Sequence, residues 1–232
     1  MYRLGKYRRT DKMSDLICDN YSMLLVMSRF GIPVGFGDLS IEEVCSKNHV
    51  DVRTFLAVVN LLISGEKDAG DYDPGVLSIP SLMDYLKSSH SYFLDFKFPS
   101  IRNSLLDVLG PADKQITDAI IGFFDDYVDQ VRKHMEYEEI TVFPYINSLL
   151  AGKKDPSYQI KAFCIQHDQV ETRLSELKNI IIKYYPSGNT NEWNGVLFDL
   201  FSCSSDLASH NYIEDNLLVP VISQLEHNLR RK

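Results

Sequence analysis

The sequence predicts an all-α protein, an up-down-up-down four-helix bundle preceded by a small three-helix domain. Three observations lead to this prediction. Apolar residues recur at steps of three and four, which is the spacing of one helix face. No stretch shows the alternation of apolar and polar residues that marks a half-buried strand. The long helical segments are joined by short connections, which place consecutive helices antiparallel.

The small domain is predicted over residues 1–66. A first helix is expected over residues 14–30, where apolar positions recur at helical spacing. Ser40 opens a second short helix, because Glu43 three residues later completes a capping box. A third helix follows over residues 52–63.

A linker is predicted between the two domains, at residues 67–79. The stretch 64–79 contains three glycines, one proline and five charged residues, a composition typical of a connecting segment. The bundle domain then takes residues 80–232.

Four long helical segments are predicted in the bundle domain, and each carries one histidine. They are residues 80–108 with His90, 112–150 with His134, 157–184 with His167, and 191–228 with His210. Pro99 lies inside the first segment and should kink or break it. In the second segment a stripe of apolar residues continues into His134 and Glu138, so this pair should face the bundle interior.

These four histidines follow an internal repeat. His134 and His210 are 76 residues apart, and each is followed by a glutamate at the fourth position, an acid at the fifth and a proline at the tenth. His90 and His167 are 77 residues apart. The chain therefore repeats one pattern, a single histidine followed 43 or 44 residues later by a histidine–glutamate pair.

The repeated pairs, His134 with Glu138 and His210 with Glu214, each place an imidazole and a carboxylate on one helix face. A buried glutamate is costly unless it is paired or binds a metal. The natural arrangement gives each of two metal ions two histidines, with both glutamates bridging and open positions or solvent-derived bridges completing the shells. Nitrogen and carboxylate ligands without thiolate suit iron, manganese or zinc.

A purely structural interpretation stays open, because a single histidine in an apolar helix is usually a hydrogen-bonded core residue. The chain would then be a metal-free scaffold. His49 and His227 lie outside the repeat, and we expect them to be structural or surface residues. Glu139 and Asp215 are expected to be solvated or to support the ligands, rather than to bind metal themselves.

Composition restricts the remaining functional classes. The net charge of −8 argues against a nucleic-acid surface, which needs a basic face. The longest apolar run near the start, Met23–Met27, is too short for a signal-peptide core or a membrane span, so a cytoplasmic protein is expected. The four scattered cysteines include no CxxC pair, which favours reduced thiols over a disulfide framework.

With His90, His134-x-x-x-Glu138, His167 and His210-x-x-x-Glu214 on four helices, the chain resembles the hemerythrin-like domain. With its small helical domain, the whole chain resembles the di-iron proteins that repair iron–sulfur clusters after nitrosative or oxidative stress. The resemblance implies two non-haem iron ions with an oxo or hydroxo bridge, held by the four histidines and bridged by the two glutamates. The small domain of that family usually carries a Cys-Cys-Gly-Gly turn, whereas the matching residues 34–37 here read Val-Gly-Phe-Gly.

The resemblance implies iron donation to damaged clusters and binding or reduction of nitric oxide. The partners implied are iron–sulfur client proteins and the small gases nitric oxide and oxygen, and a homodimer is compatible with it. Two further functions stay open beside the scaffold: a nitric oxide or peroxide reductase, and a sensor of oxygen, nitric oxide or redox state. The missing cysteine pair favours sensing or gas binding over a thiol-assisted repair step.

Overall fold

The structure is a computed structural model that describes residues 6–64, 74–109, 114–153, 158–161, 163, 168–184 and 190–230. Over these ranges the regular structure is helical and contains no β-strand; one isolated bridge pairs Lys12 with Ser40. The predicted all-α fold is confirmed. None of the described helices combines the length and the hydropathy that crossing a membrane requires.

The N-terminal region contains four short helices, α1 (Met13–Asp19), α2 (Met23–Arg29), α3 (Ile41–Lys47) and α4 (Val52–Ser64). The single helix predicted over residues 14–30 is therefore wrong, because the chain leaves the helix at Asn20 (φ −140°, ψ 83°). The Asn20 side chain donates to the hydroxyl of Tyr7 at 3.4 Å, and that hydroxyl donates to Asp19 at 2.9 Å. Asparagine favours such local hydrogen bonds over the helix interior.

The capping box predicted at the start of α3 is confirmed. The backbone N–H of Ser40 donates to Oε2 of Glu43 at 2.8 Å, and the N–H of Glu43 donates back to Oγ of Ser40 at 3.3 Å. At the start of α4, Asp51 Oδ2 accepts from the N–H of Thr54 at 2.9 Å. Both helices thus begin where a side chain satisfies an otherwise unbonded N–H group.

Four long helical stretches follow, and three of them contain a π-helical segment. The first comprises α5 (Ile79–Ser91), π1 (Tyr92–Lys97) and α6 (Phe98–Leu109); the second α7 (Lys114–Tyr137), π2 (Glu138–Val142) and α8 (Phe143–Leu150); the third α9 (Asp168–Tyr184); the fourth α10 (Thr190–Ile213), π3 (Glu214–Leu218) and α11 (Val219–Arg230). Pro99 does not break the first stretch, because π1 directly precedes it. The third stretch begins later in the described residues than the predicted start at 157.

The described residues belong to two compact units. One comes from Met1–Ser89, Gly152–Lys154 and Tyr212–Lys232, and the other, the second unit, comes from His90–Ala151 and Asp155–Asn211. In the first, the Phe30 ring lies 5.4 Å from Phe55 and 4.9 Å from Tyr85. In the second, α7 packs against α6 and α9 around an aromatic and aliphatic core. The predicted domain limits 1–66, 67–79 and 80–232 stay predictions.

Candidate metal centre

The helices bury the histidine–glutamate pairs as the apolar stripe predicts. His134 lies on the last turn of α7, and Glu138 is the first residue of π2. His210 and Glu214 occupy the same positions in α10 and π3, while His90 lies next to the end of α5. All five side chains are buried, and those of both glutamates are completely inaccessible to solvent.

The Glu138 carboxylate lies between two imidazoles. Its Oε2 atom is 3.1 Å from Nε2 of His90, and its Oε1 atom is 3.1 Å from Nε2 of His134. The two oxygens of one carboxylate therefore face two different histidines. A carboxylate that bridged two cations could use this arrangement, with one of its oxygens and one imidazole at each cation.

Three side chains of the second unit have the geometry of a cation site. One ligand atom from each lies within 4.8 Å of the others, and the three are His90, Glu138 and His210. His134 faces the other oxygen of Glu138 and could therefore supply an imidazole ligand to a second cation. The buried histidine and glutamate cluster thus fits a site for two metal ions.

His167 lies outside the described residues, so its role as a ligand stays a prediction. Metal ligation by the other five predicted residues also stays a prediction. Glu139 contacts one of the predicted ligands. Its Oε1 atom lies 2.9 Å from Nδ1 of His90, and its side chain is half exposed. It therefore contacts the side of the His90 ring opposite Glu138. The supporting role expected for Glu139 stays a prediction.

Aromatic rings cover the imidazoles, which the sequence reasoning missed. Phe143 stacks on His90 with centroids 5.9 Å apart and planes at 14°, and Phe163 stacks on His134 at 5.9 Å and 1°. Phe93 meets His210 edge-on at 6.1 Å. Such contacts restrict the orientation of each ring and exclude water from it. The available signal for Phe143 was its position directly before the repeated proline.

The three π segments have a common cause in the sequence. Each ends with a backbone bond from an N–H to the carbonyl five residues back: Phe98 to Phe93, Phe143 to Glu138, and Val219 to Glu214. The next residue is in each case a proline, namely Pro99, Pro144 or Pro220. Proline cannot donate to the carbonyl four residues back, and its ring collides with that carbonyl in an α-helix. A π turn before the proline relieves both problems, and π segments frequently occur at functional sites.

The donor atoms of the cluster are imidazole nitrogens and carboxylate oxygens, a set that suits iron, manganese or zinc. A family model described as the hemerythrin HHE cation binding domain matches residues 81–222. No individual curated protein has significant sequence similarity to the chain. The family match covers more than half of the 232 residues and spans every predicted ligand position. This chain therefore belongs to the hemerythrin HHE cation-binding domain family and is a metal-binding protein.

Proposed function

We propose that this chain is a di-iron protein that helps to restore iron–sulfur clusters damaged by nitrosative or oxidative stress. The observation that carries the dinuclear part is the placement of Glu138, whose two oxygens face His90 and His134 at 3.1 Å each. The family match supports cation binding. The repair role rests on the resemblance of the whole chain, including its small helical domain, to cluster-repair proteins.

In this proposal His90 and His210 would hold one iron ion, His134 and His167 would hold the other, and Glu138 and Glu214 would be shared between them. Iron bound there would supply a redox-active cation with affinity for nitric oxide and oxygen. The chain itself supplies the buried carboxylates that offset the cation charge, together with the aromatic rings that limit access of water.

Cys45 of the small domain does not take part in this proposal. Residues 34–37 contain no thiol. Cys45, which follows them in the sequence, is completely buried, and burial raises the pKa of its thiol to about 12. Because the thiolate is the form that binds metal and attacks electrophiles, Cys45 does not replace the cysteine pair of the family. In this proposal iron release depends on the imidazole and carboxylate ligands.

The first experiment measures metal content and optical absorption of protein purified without chelators. We expect about two iron ions per chain and the absorption bands of a dinuclear ferric centre. The Glu138→Ala, Glu214→Ala double variant should lose both. The matched control replaces two exposed glutamates, Glu136 and Glu192, with alanine and should keep them. Absence of iron from the wild type, even after anaerobic reconstitution, would overturn the di-iron proposal.

The second experiment tests repair directly. The iron-loaded protein is incubated anaerobically with a purified [4Fe–4S] dehydratase that a nitric oxide donor has inactivated. Recovery of dehydratase activity in proportion to the iron lost from this protein supports donation to iron–sulfur clients. Sustained consumption of nitric oxide with an electron donor, without iron loss or recovery, would instead establish a reductase and contradict the proposal.

A further inference from the structure

The imidazole of His90 is held by two consecutive glutamates, one at each ring nitrogen. Glu138 Oε2 lies 3.1 Å from Nε2, and Glu139 Oε1 lies 2.9 Å from Nδ1. The His90 side chain is only 1% exposed, whereas that of Glu139 is 50% exposed. One acid thus reaches the ring from the buried cluster, and the next residue reaches it from the protein surface.

The π segment helps to explain how two neighbouring residues reach one ring. In an α-helix, consecutive side chains point about 100° apart around the axis. Glu138 begins π2, where the carbonyl of Glu138 accepts from an N–H five residues later. Bonding at that spacing puts more residues in each turn, so the angle between consecutive side chains is smaller. Phe143 stacks on the ring at 5.9 Å and helps to keep its plane fixed.

The two contacts have different chemical consequences. A neutral imidazole carries one N–H, and the hydrogen bond made by one nitrogen determines which nitrogen keeps a lone pair. A carboxylate that accepts from Nδ1–H leaves the Nε2 lone pair directed toward Glu138 and the cluster. Carboxylates that bond the far nitrogen of a ligating histidine also make the ring a stronger ligand.

We propose that Glu139 is a positioning residue that keeps the His90 proton on Nδ1 and thereby presents Nε2 to the metal centre. Glu139 is not itself a ligand in this arrangement. The tautomer assignment can be tested on the metal-free protein, whereas its effect on cation affinity rests on the proposed metal-binding function.

The test compares Glu139→Ala, Glu139→Gln and the control Glu136→Ala. Glu136 is an exposed acid three residues earlier on α7, so its removal changes the same charge without changing the contact. Nuclear magnetic resonance of protein labelled with ¹⁵N in its histidines reports the protonated nitrogen of each ring. The His90 signals are assigned with a His90→Gln variant.

In the metal-free wild type and in Glu136→Ala, we expect Nδ1 of His90 to carry a proton, with or without a second proton on Nε2, because each nitrogen faces a carboxylate oxygen. Glutamine offers an amide oxygen to the same atom and should preserve this state. In Glu139→Ala the proton should move to Nε2, which still faces Glu138. Finding the wild-type proton on Nε2 alone, or the same tautomer in Glu139→Ala as in the wild type, would overturn the proposal.

Zinc affinity, measured by competition with a chromogenic chelator, tests the consequence for binding. Glu139→Ala should lose about 10- to 100-fold in affinity, Glu139→Gln should recover part of it, and Glu136→Ala should match the wild type. Equal affinities in Glu139→Ala and Glu136→Ala would contradict the presentation of Nε2. A wild type that binds neither zinc nor iron would overturn the proposed function, and the metal-free tautomer would then still decide the role of Glu139.

Discussion

The Oε1 atom of Glu138 lies 3.1 Å from Nε2 of His134, one helical turn earlier in the same stretch. Replacing Glu138 with glutamine shows whether Glu138 acts as a metal ligand or only as a hydrogen-bonding residue of the core. Glutamine has the same shape, but it presents an NH₂ group in place of one oxygen and carries no charge. A scaffold tolerates that change, whereas a bridging site does not.

We therefore expect Glu138→Gln to melt close to the wild type when both are metal-free. Added Zn²⁺ should raise the melting temperature of the wild type, because a ligand that binds only the folded state stabilises it. The same addition should have little effect on Glu138→Gln. Differential scanning calorimetry with and without zinc measures both, and equal stabilisation of the two proteins would contradict a bridging role.

A second prediction concerns π2. Deletion of Thr141 together with Pro144→Ala should convert this segment into a continuous α-helix without moving buried positions to the surface. The control is deletion of Asp126, an exposed residue within α7. Because α7 contains no extra residue, this deletion should rotate the apolar stripe on one side of residue 126 toward solvent. We expect the variant without Thr141 to fold and to unfold cooperatively. The variant without Asp126 should lose at least about 3 kcal/mol in its free energy of unfolding. Thermal unfolding followed by circular dichroism compares them. If the two variants are equally destabilised, π2 does not contain one residue more than the pattern of buried positions in an α-helix requires.

The cysteines provide a third prediction. Cys18 is exposed, whereas Cys45 is buried with a thiol pKa raised to about 12, chiefly by desolvation. Iodoacetamide at pH 8 should therefore alkylate Cys18 in the native protein and leave Cys45 unmodified until denaturant is added. Peptide mass spectrometry measures both sites, and Cys18→Ser controls for the assignment.

Because folding disfavours the Cys45 thiolate, the stability of the protein should also fall as the pH rises above the ordinary thiol pKa of 9.0.

The fourth prediction uses the capping box of α3. Hydrogen bonds from Ser40 lower the pKa of Glu43 below its ordinary value of 4.5. A carboxyl group with a lowered pKa in the folded state contributes stability above its unfolded pKa and loses it as the pH falls. The melting temperature of the wild type should therefore exceed that of Glu43→Gln at pH 7, and the difference should shrink below about pH 4.5. A difference that is independent of pH would show that the charge of Glu43 does not contribute.

Much of the fold was predictable because it depends on local chemistry. Ser40 and Glu43 form their capping box within four residues of sequence, and the apolar stripe before His134 is sufficient to indicate its burial. The break at Asn20 was not predictable, because it depends on Tyr7, which lies 13 residues away and contacts Asn20 only after folding. The contact between Glu139 and His90 joins residues 49 positions apart for the same reason.

The π segments left a signal in the sequence. Buried positions in an α-helix alternate steps of three and four. After His134, the buried residues Glu138, Val142 and Ile146 follow at three successive steps of four. After His210, Glu214, Leu218 and Ile222 do the same. Three successive steps of four, with a proline inside the third step, mark one extra residue in the turn.

The same extra residue occurs at the same place in both histidine–glutamate stretches. Phe143 and Val219 each lie nine residues after the histidine, and each N–H bonds the carbonyl of the glutamate five residues earlier. Duplication of an ancestral pair of helices would leave this result, because one copying event carries the ligands, the extra residue and the proline together.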